Sequence, residues 1–242
     1  MGYGLVWFKR DFRLADHGAL AAAARRGPVL CVAIVEPALW AQADAARQHY
    51  EFMLESARAL HAEMQRLGGR LHLLVGEAVA VLDRLHAEAP FDALYSHEET
   101  GNGASYARDR AVAAWCRARG VRWHEVAQFG VVRRLDDRDR WQAAWEAHVA
   151  APQAVLPEPA GVCFAALPAA LQRGEGATWP APGAIVAARA PAAVALGLDA
   201  FQPPARQRGG RRAALAVLQD FLDVRSGQYR GGISSPLKAP TA

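Results

Sequence analysis

Short apolar runs alternate with amphipathic stretches along the first half of the chain. The runs are partly β-branched and lie at residues 4–8, 28–35, 70–75, 93–96 and 121–126. The stretches between them place apolar side chains at helical spacing and lie at residues 17–26, 45–67, 77–88 and 104–119. Strand–helix alternation of this kind predicts a parallel sheet with helices on both faces. Residues 1–130 are therefore predicted to form a doubly wound, Rossmann-like α/β domain with a five-stranded parallel sheet.

The pattern weakens after residue 130 and returns near the end of the chain. Residues 131–205 are rich in Ala and Pro in their later part and predict a long interdomain linker, with one or two short helices, of which residues 164–172 are one candidate. Residues 206–242 contain a second amphipathic stretch, in which Leu215 and Leu218 share a face. One such helix cannot form a core, so this part is predicted to be an incomplete helical region.

Composition is that of a globular protein. Of the 242 residues, 52% are hydrophobic and 21% are charged, which excludes a disordered chain. No apolar run approaches the roughly 18–20 residues of a membrane span, and no basic stretch followed by an apolar one begins the chain. Three widely spaced cysteines are typical of reduced thiols. We expect a cytoplasmic protein without a membrane partner.

The charge of the chain is concentrated near its end. Net charge is +4, and residues 204–242 carry seven Lys or Arg side chains against Asp220 and Asp223. The rest of the chain is close to neutral. This distribution favours a polyanionic partner, either phosphate or nucleic acid, near that end, and a flexible solubilising tail is the open alternative.

Charged side chains follow three of the predicted strands. These residues are Lys9, Arg10 and Asp11 after the first strand, Glu36 after the second, and His97, Glu98 and Glu99 after the fourth. The carboxyl ends of parallel strands meet at one edge of the sheet, where ligands bind. The sequence therefore predicts a ligand site at this edge.

Other motifs give weaker signals. Residues 101–103 read Gly-Asn-Gly before a helix, which suits either an anion site or a plain loop with a helix cap. The Gly-rich dinucleotide fingerprint, the phosphate-binding loop and the zinc pattern His-Glu-x-x-His are all absent. No nucleophile–base arrangement stands out. We predict no metal site and no catalytic residue.

Residues 5–20, "LVWFKRDFRLADHGAL", resemble the N-terminal signature of the DNA photolyase/cryptochrome family, a strand followed by W-F-K/R-R-D-L-R-x-x-D-N-x-A-L. Phe12 and His17 stand where Leu and Asn are usual. The segments "ALYSHEETGNGASYARDRAVAAW" and "RGGRRAALAVLQDFL" also resemble this family. Part of the role of Arg10, Asp11, Arg13 and Asp16 is expected to be structural, with pairing within the turn and against the linker or the helical domain.

The resemblance implies a light-dependent flavoprotein. In this family the α/β domain can hold an antenna chromophore (a folate, deazaflavin or flavin), and a helical domain holds FAD. The full-length form would repair pyrimidine dimers in DNA with light. The antenna site is assigned to Arg10, Asp11, Glu36, His97, Glu98 and Glu99. The FAD site is assigned to Tyr229, Ser234 and Ser235.

The chain departs from the family pattern in its length. By this resemblance its last residue, Ala242, lies just inside the helical domain, so we expect most of the FAD site to be absent from this chain. We expect this truncated chain to be inactive alone. Three alternatives stay open: blue-light sensing of the cryptochrome type, a non-catalytic chromophore- or nucleotide-binding module, and an inert fragment with an exposed apolar helix. The sequence does not indicate an oligomeric state.

Overall fold

A six-stranded sheet forms the centre of the computed structural model, which describes residues 2–157, 161–172, 186–187 and 190–229. The strands are β1 (Gly4–Phe8), β2 (Val29–Val35), β3 (Leu71–Val75), β4 (Ala93–His97), β5 (Arg122–Val126) and β6 (Val186–Ala187). Their order is β5-β4-β1-β2-β3-β6. The first five are all parallel, so the five-stranded parallel sheet is confirmed. The sixth pairs antiparallel with β3.

Eight α-helices are described. They are α1 (Gly18–Ala24), α2 (Pro37–Trp40), α3 (Arg47–Arg66), α4 (Ala78–Glu88), α5 (Gly103–Arg119), α6 (Trp141–Ala150), α7 (Ala169–Gln172) and α8 (Arg211–Asp220). Short 3₁₀ turns lie at Arg138–Arg140 and Ala193–Leu196, and α8 continues as a π-turn over Phe221–Arg225 and a 3₁₀ turn over Ser226–Gln228. No described helix is long and apolar enough to cross a membrane.

The local sequence explains where α5 begins and ends. Asn102 is its N-cap, and the Asn102 side chain accepts a 3.0 Å hydrogen bond from the Ser105 amide. Gly120 follows the last turn with φ of 69°, a left-handed conformation that glycine adopts without steric cost. The Gly-Asn-Gly stretch is therefore a loop and a helix cap.

The core lies on both faces of the sheet. Along β1, Leu5 and Trp7 pack in one cluster and Val6 and Phe8 in the other, and all four side chains are buried. Successive strand residues point to opposite faces, so a strand buried on both reads as a continuous apolar run. The doubly wound arrangement predicted from these runs is confirmed.

The predicted linker packs against this core. Five of its apolar side chains are buried at 8% exposure or less: Val162, Leu167, Leu171, Leu196 and Leu198. Val29 also accepts and donates backbone hydrogen bonds with residues 163–165. The division of the chain at residues 130 and 205 stays a prediction, but the described residues 161–172 and 190–198 pack on the α/β core.

Helix α8 presents an apolar face without a partner among the described residues. Leu215, Leu218 and Leu222 are 45%, 51% and 55% exposed. The exposed helix expected from the sequence is therefore present in the part of the chain that the structure describes.

Candidate functional site

The carboxyl ends of three strands meet at one edge of the sheet. β1 lies between β4 and β2, and the strand order reverses between β1 and β4. Ligands in open α/β sheets bind at such a reversal. Residues 9–11, 36 and 98–99 leave the sheet side by side there, as the sequence predicts.

A cavity of about 850 Å³ opens at this edge. Its walls come from the ends of β1 and β2, from residues 39–56 and from the start of α8. Aromatic side chains of Trp7, Trp40 and Phe52 line it, together with the arginines Arg13 and Arg211. The volume suits a cofactor-sized molecule, because ligand pockets in proteins measure roughly 300–1,000 Å³.

Arg108 of α5 is the centre of a buried ion-pair network beside this cavity. Its two terminal nitrogens donate to Glu36 and Glu99, and its Nε lies 2.8 Å from Asp109 Oδ1. The guanidinium also lies 4.7 Å from the centroid of the Trp7 ring, within cation–π range. The side chains of Arg108, Glu36 and Glu99 are all less than 10% exposed. The network fixes α5 to the ends of β2 and β4.

Burial controls the ionisation of Glu36. It raises the pKa of this carboxyl to about 7, although Arg108 and the amide of Ala78 favour the charged form. The pKa of the Arg108 guanidinium is also raised. Burial would lower it, but the surrounding carboxylates outweigh that effect. Glu36 is thus an acid that titrates near neutral pH at the cavity wall.

Lys9 and Arg10 differ in their exposure. Lys9 Nζ lies 3.4 Å from Asp109 Oδ2, and its side chain is only 5% exposed. Arg10 Nε lies 3.0 Å from Glu99 Oε1, but the Arg10 side chain is 71% exposed. Arg10 therefore presents its charge at the rim of the cavity, whereas Lys9 belongs to the buried network.

Asp11, His17 and His97 form a second buried cluster. Asp11 Oδ2 accepts a 2.6 Å hydrogen bond from His97 Nδ1 and lies 2.9 Å from His17 Nε2. Asp11 Oδ1 accepts a 2.8 Å bond from the Lys9 amide. Burial alone would raise the pKa of Asp11, but the two imidazoles hold it well below its usual range. Burial lowers the pKa of His17.

The spacing of this cluster would suit a metal ion, but its hydrogen bonding does not. His17 Nδ1 accepts a 3.0 Å hydrogen bond from the Leu20 amide and so caps α1. A neutral imidazole that accepts at Nδ1 carries its hydrogen on Nε2, the atom that faces Asp11. His17 would have to give up the cap to bind a metal, so the cluster is best described as a hydrogen-bonded clamp between β1, α1 and β4.

The six residues predicted for the antenna site divide between two cavities. The large cavity is lined by Arg10, Asp11, Glu36 and Glu99. His97 and Glu98 line a neighbouring cavity of about 120 Å³, which also touches Arg10, Asp11 and Glu99. Glu98 faces Arg133, at 3.6 Å from its Nε. Four of the six predicted residues therefore line the large cavity, and the other two, His97 and Glu98, line only the smaller cavity beside it.

Of the residues predicted for FAD, only Tyr229 is described. Its side chain is 37% exposed, and its ring packs edge-on against Phe221 with centroids 5.6 Å apart. It lines neither of the two cavities above. Ser234 and Ser235 lie outside the described residues.

The structural role expected for Arg13 and Asp16 is confirmed. Arg13 donates a 2.9 Å hydrogen bond to the Asp16 carbonyl, and Asp16 adopts a positive φ of 52°. The Asp16 side chain accepts a 2.8 Å bond from the amide of Ala154, in the linker. The turn after β1 therefore holds the linker as well as the edge of the cavity.

Known relatives share this part of the chain. Residues 4–136 match the family model described as DNA photolyase. A deoxyribodipyrimidine photo-lyase from Synechococcus is 30% identical over 121 residues, which is 49% of this chain and 24% of that protein. Cryptochrome-1 from Sinapis alba is 32% identical over 119 residues, which is 48% of this chain and 23% of that protein.

Solved structures share the fold. A cryptochrome from Synechocystis superposes over 96% of this chain and 48% of its own, with a TM-score of 0.69 and 18% identity. An archaeal photolyase from Sulfolobus tokodaii covers 90% and 47%, with a TM-score of 0.60 and 21% identity. The chain spans less than half the length of these relatives. Since the matched residues make up more than half of it, this chain belongs to the DNA photolyase/cryptochrome family.

Proposed function

We propose that the large cavity binds a planar, light-absorbing antenna chromophore: a flavin, a deazaflavin or a folate. The observation that carries this proposal is a cavity of about 850 Å³, with aromatic walls, at the point where the strand order reverses. The Sulfolobus photolyase supports it, because that structure is described as holding two FAD molecules, with the implication of a novel light-harvesting cofactor.

The lining residues suit a chromophore with a ring system and an acidic tail. Trp40 and Phe52 offer aromatic faces to a planar ring. Arg13 and Arg211 line the same cavity, and neither has a carboxylate within ion-pair distance among the described residues. Their charges are available to a phosphate or carboxylate of the ligand.

We propose that the light-driven chemistry belongs to a full-length form, which would bind FAD with help from Tyr229, Ser234 and Ser235 and would repair pyrimidine dimers in DNA. The excess of basic residues in 204–242 supports a polyanionic partner. Residues 1–130, 131–205 and 206–242 would then be the antenna domain, the linker and the start of the FAD domain. The buried free thiols of Cys31 and Cys116 favour a cytoplasmic location.

Blue-light sensing is a second candidate function. The chain resembles cryptochromes as closely as photolyases, at 32% and 30% identity over about 120 residues. Repair of thymine dimers in blue light by a full-length protein would support the first candidate, and its failure with FAD bound would support the second.

Chromophore binding is tested by fluorescence titration of the chain with FMN, FAD and a reduced folate. Phe52→Ala should weaken binding about tenfold, because base- or ring-stacking on an aromatic side chain contributes roughly 1–3 kcal/mol. Phe201→Ala is the matched control, since Phe201 is 69% exposed and lies outside the cavity. Absence of saturable binding for all three compounds would contradict the proposal.

A further inference from the structure

Glu55 of α3 holds the segment that leads into α8. Its carboxylate accepts hydrogen bonds from both terminal nitrogens of Arg206, at 2.6 and 3.2 Å, and from Arg208 at 3.2 Å. It also accepts a 2.8 Å bond from the amide of Gly209. The hydrogen bonds from Arg206 are the main reason why the pKa of Glu55 falls to about 2. We call residues 206–210 the strap.

The strap lies very close to the backbone of α3. A Cβ atom on Gly209 would lie 2.2 Å from the Phe52 carbonyl oxygen, a contact that no side chain could make. The amide of Gly210 donates a 3.0 Å hydrogen bond to Ser56 Oγ, and Gly210 has a positive φ of 104°. Both glycines are therefore required for the strap to seat on α3.

The strap forms one wall of the large cavity. Arg206 and Gly210 line this cavity from the strap, and Arg211 and Ala214 line it from the first turn of α8. Phe52 and its neighbours on α3 form part of the same lining. Among the described residues, the hydrogen bonds and ion pairs that join this wall to α3 come from the strap.

We infer that Glu55 is a positioning residue for the ligand site: it seats the strap on α3, and release of the strap opens the cavity to ligand exchange. This inference rests on the proposed function, since it treats the cavity as a chromophore site. The site is then formed jointly by the α/β unit and by residues 206–214. The α/β unit alone would hold the ligand weakly.

The attachment of the strap to α3 is tested by hydrogen–deuterium exchange on the whole chain. Glu55→Ala should speed exchange of the Gly209 and Gly210 amides about tenfold or more, because charge-assisted hydrogen bonds that protect the segment are lost. Gly209→Ala should do the same by steric exclusion. Glu63→Ala, on the same helix and without a hydrogen bond to the strap, and Gly227→Ala, where a Cβ meets nothing within 4 Å, are the matched controls.

The role of the strap in ligand exchange is tested by stopped-flow dissociation of FMN. Glu55→Ala and Gly209→Ala should each speed dissociation about tenfold, with thermal unfolding midpoints near that of the wild type. Faster amide exchange with unchanged FMN dissociation would overturn the inference, and so would unchanged amide exchange in both variants. If the wild type binds no FMN, FAD or folate, the proposed function fails, and the exchange experiment still decides whether Glu55 seats the strap.

Discussion

His97 Nδ1 donates a 2.6 Å hydrogen bond to Asp11 Oδ2, which links the end of β4 to the turn after β1. The same oxygen lies 2.9 Å from His17 Nε2. All three side chains are at most 3% exposed. His17 stands where the signature that this chain resembles usually has Asn, and its imidazole gives the clamp a titratable group.

His17 should make the stability of the fold sensitive to mild acid. Burial lowers the pKa of His17 in the folded protein, whereas the same side chain in the unfolded chain is protonated at about pH 6.5. Below that pH the unfolded state binds more protons, and stability falls by at most about 1.4 kcal/mol per pH unit for one group. His17→Asn should reduce this slope between pH 6.5 and 5 in urea unfolding. Equal slopes in the two proteins would contradict the prediction.

Arg108→Met should strongly destabilise the chain. It leaves Glu36 buried without its cationic partner and Glu99 paired with Arg10 alone, and breaking a buried ion pair from one side costs about 3–5 kcal/mol. The measurement is the free energy of unfolding in urea at pH 8. Arg110→Met is the control on the same helix, because Arg110 is exposed and its replacement should change stability by no more than about 0.5 kcal/mol.

The sheet could be predicted from the sequence because its strands are buried on both faces. Each parallel strand shows as a continuous apolar run, and the observed bounds lie within a residue of the predicted ones. Strand β6 could not be predicted, because two residues in an Ala- and Pro-rich stretch are too few to show the alternation of apolar and polar residues that marks a strand. The buried linker residues Leu167, Leu171 and Leu196 were hidden for the same reason, since isolated apolar residues do not show what they pack against.

The edge of the sheet could be predicted, but the partners of its charges could not. Topology alone places Arg10, Glu36 and Glu99 together. Arg108 lies on a helix with many charged residues, and composition would assign it to the solvated face. Only the packing of α5 on the strand ends shows that it is buried and neutralises both carboxylates. The same packing explains why Glu36 and Glu99 are engaged with protein instead of being free for a ligand.

Glu36 should titrate near neutral pH in the folded protein. Burial raises its pKa to about 7, and Arg108 holds it below the value that burial alone would give. Carbon-13 NMR of the glutamate carboxyl carbons should therefore show one group with a midpoint near pH 7. Arg108→Lys, which keeps the charge but loses the paired hydrogen bonds, should raise this midpoint. A midpoint near the ordinary glutamate value of about 4.3 would contradict the burial argument.

Leu171→Ala should show that the predicted linker is part of the α/β core. Leu171 lies in the short helix α7, is 2% exposed and packs in the cluster with Leu5 and Trp7. Removing a buried leucine side chain costs about 2–5 kcal/mol, whereas Val194→Ala at an 80% exposed position should cost less than about 0.5 kcal/mol.

The comparison is made by urea unfolding of both variants, followed by tryptophan fluorescence, to which the buried Trp7 and Trp115 of the α/β unit contribute. A connector that merely joins two units would leave this transition unchanged in both proteins. A loss confined to Leu171→Ala means that residues 161–172 complete the hydrophobic core, because only burial against the sheet makes the deleted methyl groups matter. The boundary of the folded α/β unit then lies beyond residue 130.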